Sequence, residues 1–456
     1  MTHHLSFKDH TKAVLLLGLP LAGSHLAQFS VNVVDVIMMG WYGVDELAAV
    51  VLAGTVYFLV FLMGGGFANA VMPMVAEAAS AGDITQARRA ARMGLWVVTG
   101  YCILVLPLFL LAEPILQALG QKPELAMLAA QYLVIMGFQL FPAMWIMVLK
   151  GFLSAVEHAR AILLLTIATA ALNAALNYVL IFGHFGAPEL GIKGCALASL
   201  IANLIGFAAM MVYAMWPKDL RPYAIFARIW RPDWPAIWSV FSLGLPIGLT
   251  MLAEVGLFSA AGFMFGWIGV QDLAAHGIAL QIASATFLFH LGLSNAATVR
   301  AGRAVGTGDR QGLRDGALAV TVLSVALSVL AAVVFITTPE PFVGLFLDPD
   351  DPERDAIILI GAGLLMLAGV FQIVDAGQVI AMGLLRGIKD TKVPMLIAAF
   401  SYWGVGLPAS YVLGFPMGLG GAGIWWGLVI GLAVAAVLMS WRFWGVKLRE
   451  ERAVQV

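Results

Sequence analysis

The segment Gly40-Trp-Tyr-Gly-Val-Asp-Glu-Leu-Ala-Ala49 returns as Gly266-Trp-Ile-Gly-Val-Gln-Asp-Leu-Ala-Ala275, an offset of 226 residues (266 minus 40). The same offset carries Gly18-Leu-Pro20 onto Gly244-Leu-Pro246, Phe61-Leu62 onto Phe287-Leu288, Asn69-Ala70 onto Asn295-Ala296 and Gly82-Asp83 onto Gly308-Asp309. A chain written twice without a gap builds each structural device twice. In duplicated membrane proteins the ligand usually binds near mid-bilayer where the repeats meet.

The bilayer follows from composition. With 61% hydrophobic and 11% charged residues and a mean hydropathy of +0.94, the 456 residues hold too little polar surface to enclose a soluble core. Spans of roughly 20 apolar residues, enough to cross about 30 Å of hydrocarbon as a helix, are expected at 13–39, 47–75, 91–112, 125–149, 161–182, 195–215, 237–264, 273–299, 317–338, 356–381, 393–413 and 422–444. The fold class is therefore an all-α integral membrane protein with twelve transmembrane helices. The first span is read as retained, because no small-residue cleavage pattern follows it. Of 25 Lys and Arg, all but Lys122, Lys193 and Arg354 fall on the side that holds both termini, which the positive-inside rule makes cytoplasmic. Six spans per repeat give both halves one orientation, in two six-helix lobes related by a pseudo-two-fold axis along the membrane normal. The expected organisation is an amino-terminal lobe at 1–215, a cytoplasmic linker at 216–236 and a carboxy-terminal lobe with a short cytoplasmic tail at 237–456. The linker's Lys218, Arg221, Arg228 and Arg231 are read as solvated beside lipid. Cys102 and Cys195 lie in or beside apolar runs, so no disulfide framework or thiolate metal site is expected.

Of 26 acidic residues only Asp35, Glu254 and Asp375 sit well inside the expected spans, with no Lys or Arg beside them. An ionised side chain at mid-bilayer costs about 2.5 to 3.5 kcal/mol even on a lenient scale. Such groups face water, bind cations or hold protons. Gln28 and Asp35 are seven residues apart, which puts them about 20° from alignment on one helix face. The offset maps Gln28 onto Glu254, so each repeat has its own inward acid at a different depth. Gln372, Asp375 and Gln378 recur at spacing three with Phe371 one turn before the acid, a polar stripe that suits a cavity wall. Asn173 and Asn177, four apart on the fifth span, and Ser199 on the sixth supply neutral oxygens that suit a small hard cation or a proton path, and interhelical hydrogen bonding accounts for them equally well. Pro20 and Pro246 interrupt the first helix of each repeat as candidate hinges, and plain structural kinks account for them at least as well. His25 and His290 are read as local packing.

Together Gly18-Leu-Pro20, Val34-Asp35, Met39-Gly40, Asn173 to Tyr178, Gly191, Gly194, Pro246, Glu254, Asp375, Leu385-Arg386-Gly387 and Asp390-Thr391 resemble the multidrug and toxic compound extrusion (MATE) antiporters, in particular their bacterial NorM-like branch. The resemblance covers essentially the whole chain. It implies two six-helix lobes around a central cleft and substrate export driven by inward movement of Na+ or H+. By the same resemblance Asp35, Asn173, Asn177 and Ser199 match the amino-lobe cation or proton site, and Glu254 and Asp375 match the carboxy-lobe acids. Na+ would then be held at Asp35 or at Glu254 and Asp375. Gln28, Phe371, Gln372 and Gln378 are expected to contact cargo. Two positions depart from relatives: some carry an acid where Asn177 stands, and the branch can carry a tyrosine where Phe371 offers a ring face but no hydroxyl.

The expected protein is a secondary active multidrug exporter that conveys antibiotic resistance, exchanging extracellular Na+ or H+ for amphipathic, mostly cationic organic compounds. It has no catalytic residues and no cofactor beyond the coupling ion. Its partners are those small molecules and the lipid bilayer, with no nucleic acid, and it acts as a monomer in the plasma membrane, the inner membrane of a bacterium. The alternative is a lipid-linked saccharide flippase, which should place basic residues in the cleft for a pyrophosphate. An enzyme would need a nucleophile with its base, or a metal set such as His-Glu-x-x-His, and a major facilitator would carry Gly-x-x-x-Asp-Arg-x-Gly-Arg-Arg between Glu77 and Arg92. The chain has neither pattern.

Overall fold

The computed structural model describes residues 6–350 and 352–453, and side chains as far as Glu450. Residues 1–5 and 454–456, the extreme ends of the expected amino-terminal lobe and carboxy-terminal tail, lie outside the described residues. Among the described residues, twelve helices are long and apolar enough to cross a membrane: α1 Phe7–Tyr42, α2 Val44–Ser80, α3 Ile84–Leu110, α4 Pro123–Ala155, α5 Ala159–Phe182, α6 Ile192–Met215, α7 Trp234–Ile268, α8 Val270–Thr307, α9 Arg310–Thr337, α10 Arg354–Gly387, α11 Lys392–Gly414 and α12 Gly420–Glu450. There is no strand among the described residues. Each expected span overlies one helix, and the helices run past the apolar windows. In α8 the apolar run ends near 299 as expected, and the helix continues through Arg300 and Arg303 to Thr307. Helical backbone bonds are internal, so a helix need not stop where the hydrocarbon does.

The repeat is visible in the turns. Gly82 and Gly308, related by the offset (82 plus 226), both end a helix with positive φ, +77° and +66°. Glycine is suited to that left-handed conformation because it has no Cβ to clash. The next residue caps the following helix in both cases: Asp83 Oδ1 accepts from the Gln86 amide at 2.9 Å, and Asp309 Oδ1 from the Gly312 amide at 2.8 Å.

Packing divides the chain into an amino-terminal unit, Gly23–Gly248, and a carboxy-terminal unit that joins the residues up to Ala22 to those from Leu249 onward. The divide therefore falls inside α1 and α7 and not at a 216–236 linker. Its two positions are related by the offset (22 plus 226 is 248), and each lies two residues after a proline, Pro20 or Pro246. Small residues are the physical reason. In the amino-terminal unit a Cβ added to Gly66 of α2 would lie 2.3 Å from the Gly248 nitrogen and 2.7 Å from the Gly244 carbonyl oxygen of α7. In the carboxy-terminal unit a Cβ on Gly292 of α8 would lie 2.6 Å from the Ala22 nitrogen and 2.7 Å from the Gly18 carbonyl oxygen of α1. These are one crossing built twice (66, 18 and 22 plus 226 give 292, 244 and 248). Close backbone approach through small residues gives membrane helices the dispersion contact that drives their association. Within each unit the fourth span of the repeat is the hub. α4 packs against α2, α3 and α6, and α10 against α8, α9 and α12.

The segment between α6 and α7 is pinned to the amino-terminal unit, not merely solvated. Arg92 donates to the Ala227 carbonyl at 2.5 Å, Trp96 Nε1 to the Ile229 carbonyl at 2.7 Å, and Arg89 Nε lies 2.5 Å from Asp233 Oδ2. His158, just before α5, holds Asp219 Oδ2 at 2.8 Å. The hydrogen bond from Arg89 holds the Asp233 carboxyl below the usual carboxylate range, and that from His158 does the same for Asp219.

Candidate functional site

In the amino-terminal unit the four residues read as one oxygen-rich group do meet. Asn173 and Asn177 share a face of α5, and the Asn177 Nδ2 donates both to Asp35 Oδ1 on α1 and, at 3.1 Å, to Asn173 Oδ1. Asn173 Nδ2 in turn donates to Ser199 Oγ on α6 at 3.0 Å. All four are buried, and Asn177 Oδ1 has no hydrogen-bond partner. The amide orientation suits an ionised Asp35, which can only accept. A protonated Asp35 becomes a donor, and the acceptor nearest in chemistry is that unpartnered Oδ1. A Na+ ion would also take an amide oxygen beside a carboxylate.

Gln28 does not join this group although it shares a face with Asp35. Its Oε1 accepts from Lys150 Nζ of α4 at 3.1 Å. Pro20 and Pro246 lie inside helices that continue through them. His290 is buried, with Nδ1 2.9 Å from Ser324 Oγ, which accords with a packing role.

The carboxy-terminal unit gathers Glu254 of α7 and Asp375 of α10, which interact electrostatically with each other and with Tyr402 of α11. Gln378 Nε2 donates to the Tyr402 hydroxyl at 2.6 Å, and Gln372 Nε2 to the Ala283 carbonyl at 3.1 Å. The Oε1 atoms of both glutamines are buried without partners, so the stripe Gln372, Asp375, Gln378 presents acceptor oxygens. Phe371 stands edge-on to Phe258 and Trp425, with ring centroids 5.9 and 5.6 Å away, and is packed rather than open.

Three residues were not singled out as site members by sequence. Arg386 interacts electrostatically with Glu254, so that acid has a basic companion, contrary to the expectation that none lies near. Its position just past the expected tenth span concealed it, since a long side chain reaches back from a helix end. Lys150 is hidden the same way, one residue past the expected fourth span. Tyr402 lies in a π-helical stretch, Phe400–Gly406, which rotates its side chain out of α-helical register.

The family model described as MatE matches residues 20–179 and again 246–412, so the two matches begin 226 residues apart at Pro20 and Pro246. A relative from Rhizobium meliloti (strain 1021) named "Probable multidrug resistance protein NorM" is 48% identical over 96% of this chain and 94% of its own length. One of the same name from Agrobacterium fabrum is 45% identical over the same shares. Two solved structures share the fold: "Crystal structure of MATE in the bent conformation", with a TM-score of 0.88 at 20% identity over 98% of this chain and 97% of that one, and "Outward-facing conformation of a multidrug resistance MATE family transporter of the MOP superfamily", with a TM-score of 0.85 at 20% identity over 97% and 96%.

Proposed function

The chain belongs to the MatE family, whose members are membrane transporters and not enzymes, and from that premise we propose that it exports amphipathic, mostly cationic organic compounds in exchange for extracellular Na+ or H+. The observation that carries this reading is the buried chain Asp35–Asn177–Asn173–Ser199 with one orphaned acceptor, Asn177 Oδ1. A buried carboxylate beside an unpartnered oxygen is incomplete until a proton or a cation arrives. H+ makes Asp35 a donor and asks Asn177 to present its oxygen, and Na+ asks for that same oxygen as a ligand. Either ion acts on one atom, which supports coupling in this unit. Glu254 and Asp375, with the free Oε1 atoms of Gln372 and Gln378, offer a second acceptor-rich place in the other.

Ion binding shifts the protein between inward-open and outward-open states only by its differential affinity for them. Antiport then requires ion and cargo to disfavour each other's binding. The names borne by the relatives support multidrug cargo. Their bacterial origin and the Lys and Arg tally support an inner-membrane location with cytoplasmic termini. A lipid-linked saccharide flippase fits less well, since a pyrophosphate calls for several unpaired cations, and here Arg386 is set against Glu254 and Lys150 against a neutral amide.

The test is ethidium uptake by everted vesicles under an imposed pH gradient and, separately, an imposed Na+ gradient. Wild-type protein is expected to respond to at least one. The Asp35→Asn, Glu254→Gln, Asp375→Asn triple variant, inserted at a normal level, is expected to respond to neither, and wild-type rates from it refute the scheme.

A further inference from the structure

The first turns of α1 carry two opposed stripes. His10, Val14, Leu17 and Leu21 are buried, and His10 Nδ1 accepts from the Arg300 guanidinium of α8 at 2.9 Å. Lys8, Lys12, Leu15 and Leu19 repeat that four-three-four spacing two residues earlier, about 200° away round the helix. They form the outward stripe. Lys8 and Lys12 are exposed, Leu16 and Leu19 are 49% and 53% exposed, and with Leu15 these side chains line a shallow groove of about 600 Å³. Leu19 lies roughly 10 Å further along the span than Lys12, so the groove is cationic where the helix begins and hydrocarbon-like beyond.

The two cations are not matched by the chain. Neither ammonium has a hydrogen bond or an ion pair among the described residues. Asp9, whose charge Lys12 feels, has its Oδ2 turned to the Ser6 amide and hydroxyl at 3.0 and 2.7 Å. The other repeat supplies the contrast. The offset carries Lys8 and Lys12 onto Trp234 and Trp238 (8 and 12 plus 226), which are 72% and 68% exposed at the start of α7. Tryptophan sits at a membrane interface without choosing a headgroup charge. At the same place in α1, two lysines one turn apart call for an anion, and the leucines beyond them call for an acyl chain.

We propose that the outward stripe of α1 is a binding site for an anionic phospholipid, with Lys8 and Lys12 on its phosphate and an acyl chain along Leu15, Leu16 and Leu19. The lysine stems lie along the apolar wall while their ammonium groups stay at headgroup level. The leaflet is the cytoplasmic one in the orientation that the Lys and Arg tally supports, where anionic lipids give membranes a negative surface. The site needs a bilayer around the protein and is independent of the cargo.

Native mass spectrometry of the full chain, titrated with dioleoyl phosphatidylglycerol or dioleoyl phosphatidylcholine, reads the affinity for each lipid. Each lysine near a charged headgroup is worth about fivefold in affinity, so Lys8→Gln with Lys12→Gln is expected to weaken phosphatidylglycerol about tenfold or more and to leave phosphatidylcholine unchanged. Lys8→Arg with Lys12→Arg preserves the preference, and so does Lys218→Gln with Arg228→Gln, which removes equal charge from the segment before α7. Hydrogen exchange of the wild type locates the site without any variant. In nanodiscs of phosphatidylcholine and phosphatidylglycerol at about three to one, amides at 7–12 should exchange about threefold more slowly than in phosphatidylcholine alone, and those at 233–238 equally fast in both. An unchanged phosphatidylglycerol affinity in the Lys8→Gln, Lys12→Gln variant overturns the site, as does an equal loss in the Lys218→Gln, Arg228→Gln control, or exchange at 7–12 that ignores the lipid.

Discussion

Replacing Gly66 by alanine tests the helix crossing on which the amino-terminal unit depends. The added methyl would lie 2.3 Å from the Gly248 nitrogen, 2.4 Å from its Cα and 2.7 Å from the Gly244 oxygen. All three atoms are backbone, so no side chain can swing away. Restoring an ordinary contact of about 3.5 Å requires α2 and α7 to separate by roughly 1 Å, and overpacking of that kind costs about 1 to 3 kcal/mol. For a unit of the size of residues 23–248 each kcal/mol lowers the melting temperature by about 2 to 4 °C, so a fall of roughly 2 to 12 °C is expected in detergent. Gly54 is the control. It lies on the same helix with nothing within 4 Å of a Cβ, so Gly54→Ala should be neutral or stabilising by up to about 1 kcal/mol. Thermal unfolding followed by size-exclusion fluorescence reads both. If Gly66→Ala melts with the wild type, or if the two variants fall equally, the close crossing is not what holds α2 to α7.

Three further outcomes follow from named contacts. Asn177→Ala removes a donor from Asp35, and a hydrogen bond to a charged group is worth about 1.5 to 3 kcal/mol, so the coupling-ion concentration for half-maximal transport should move about ten- to a hundredfold while protein level holds. Tyr402→Phe leaves Gln378 Nε2 without its 2.6 Å acceptor, at a cost of about 1 to 3 kcal/mol in unfolding free energy, and adding Gln378→Leu should recover part of that loss. Asp233 is held below the ordinary carboxylate range by Arg89, so its contribution is complete above about pH 4 and lost as pH falls through the lowered value. The pair is a quarter to a third exposed and worth at most about 1 kcal/mol. Asp233→Asn should raise protease cleavage at 217–233 up to about fivefold at pH 7 and abolish further sensitisation on acidification, which cleavage rates on both sides of that pH will show.

What the sequence discloses here depends on how local the determinant is. The turns at Gly82-Asp83 and Gly308-Asp309 are legible because a left-handed glycine and a capping aspartate act within four residues. The twelve spans are legible because hydropathy records what lipid demands, and Asn173 with Asn177 because four residues are about one helical turn. Joining that pair to Asp35 and Ser199 required three helices to be arranged, which the family resemblance supplied and periodicity did not. Lys150 and Arg386 escaped because their backbones stand at span ends while their charges lie elsewhere. The divide at Ala22 and Gly248 escaped because glycines 18, 66, 244, 248 and 292 look unremarkable until helices are laid across one another.

The crossing of Gly66 with Gly248 also has a timetable. The ribosome must add another 182 residues (248 minus 66) after Gly66 before its partner exists, about 10 to 40 seconds at ordinary elongation rates. By the end of that interval the first six spans have been made, with a notch cut for a helix only then arriving. A nascent chain truncated before α7 would remain open to quality-control proteases however well its own helices had inserted.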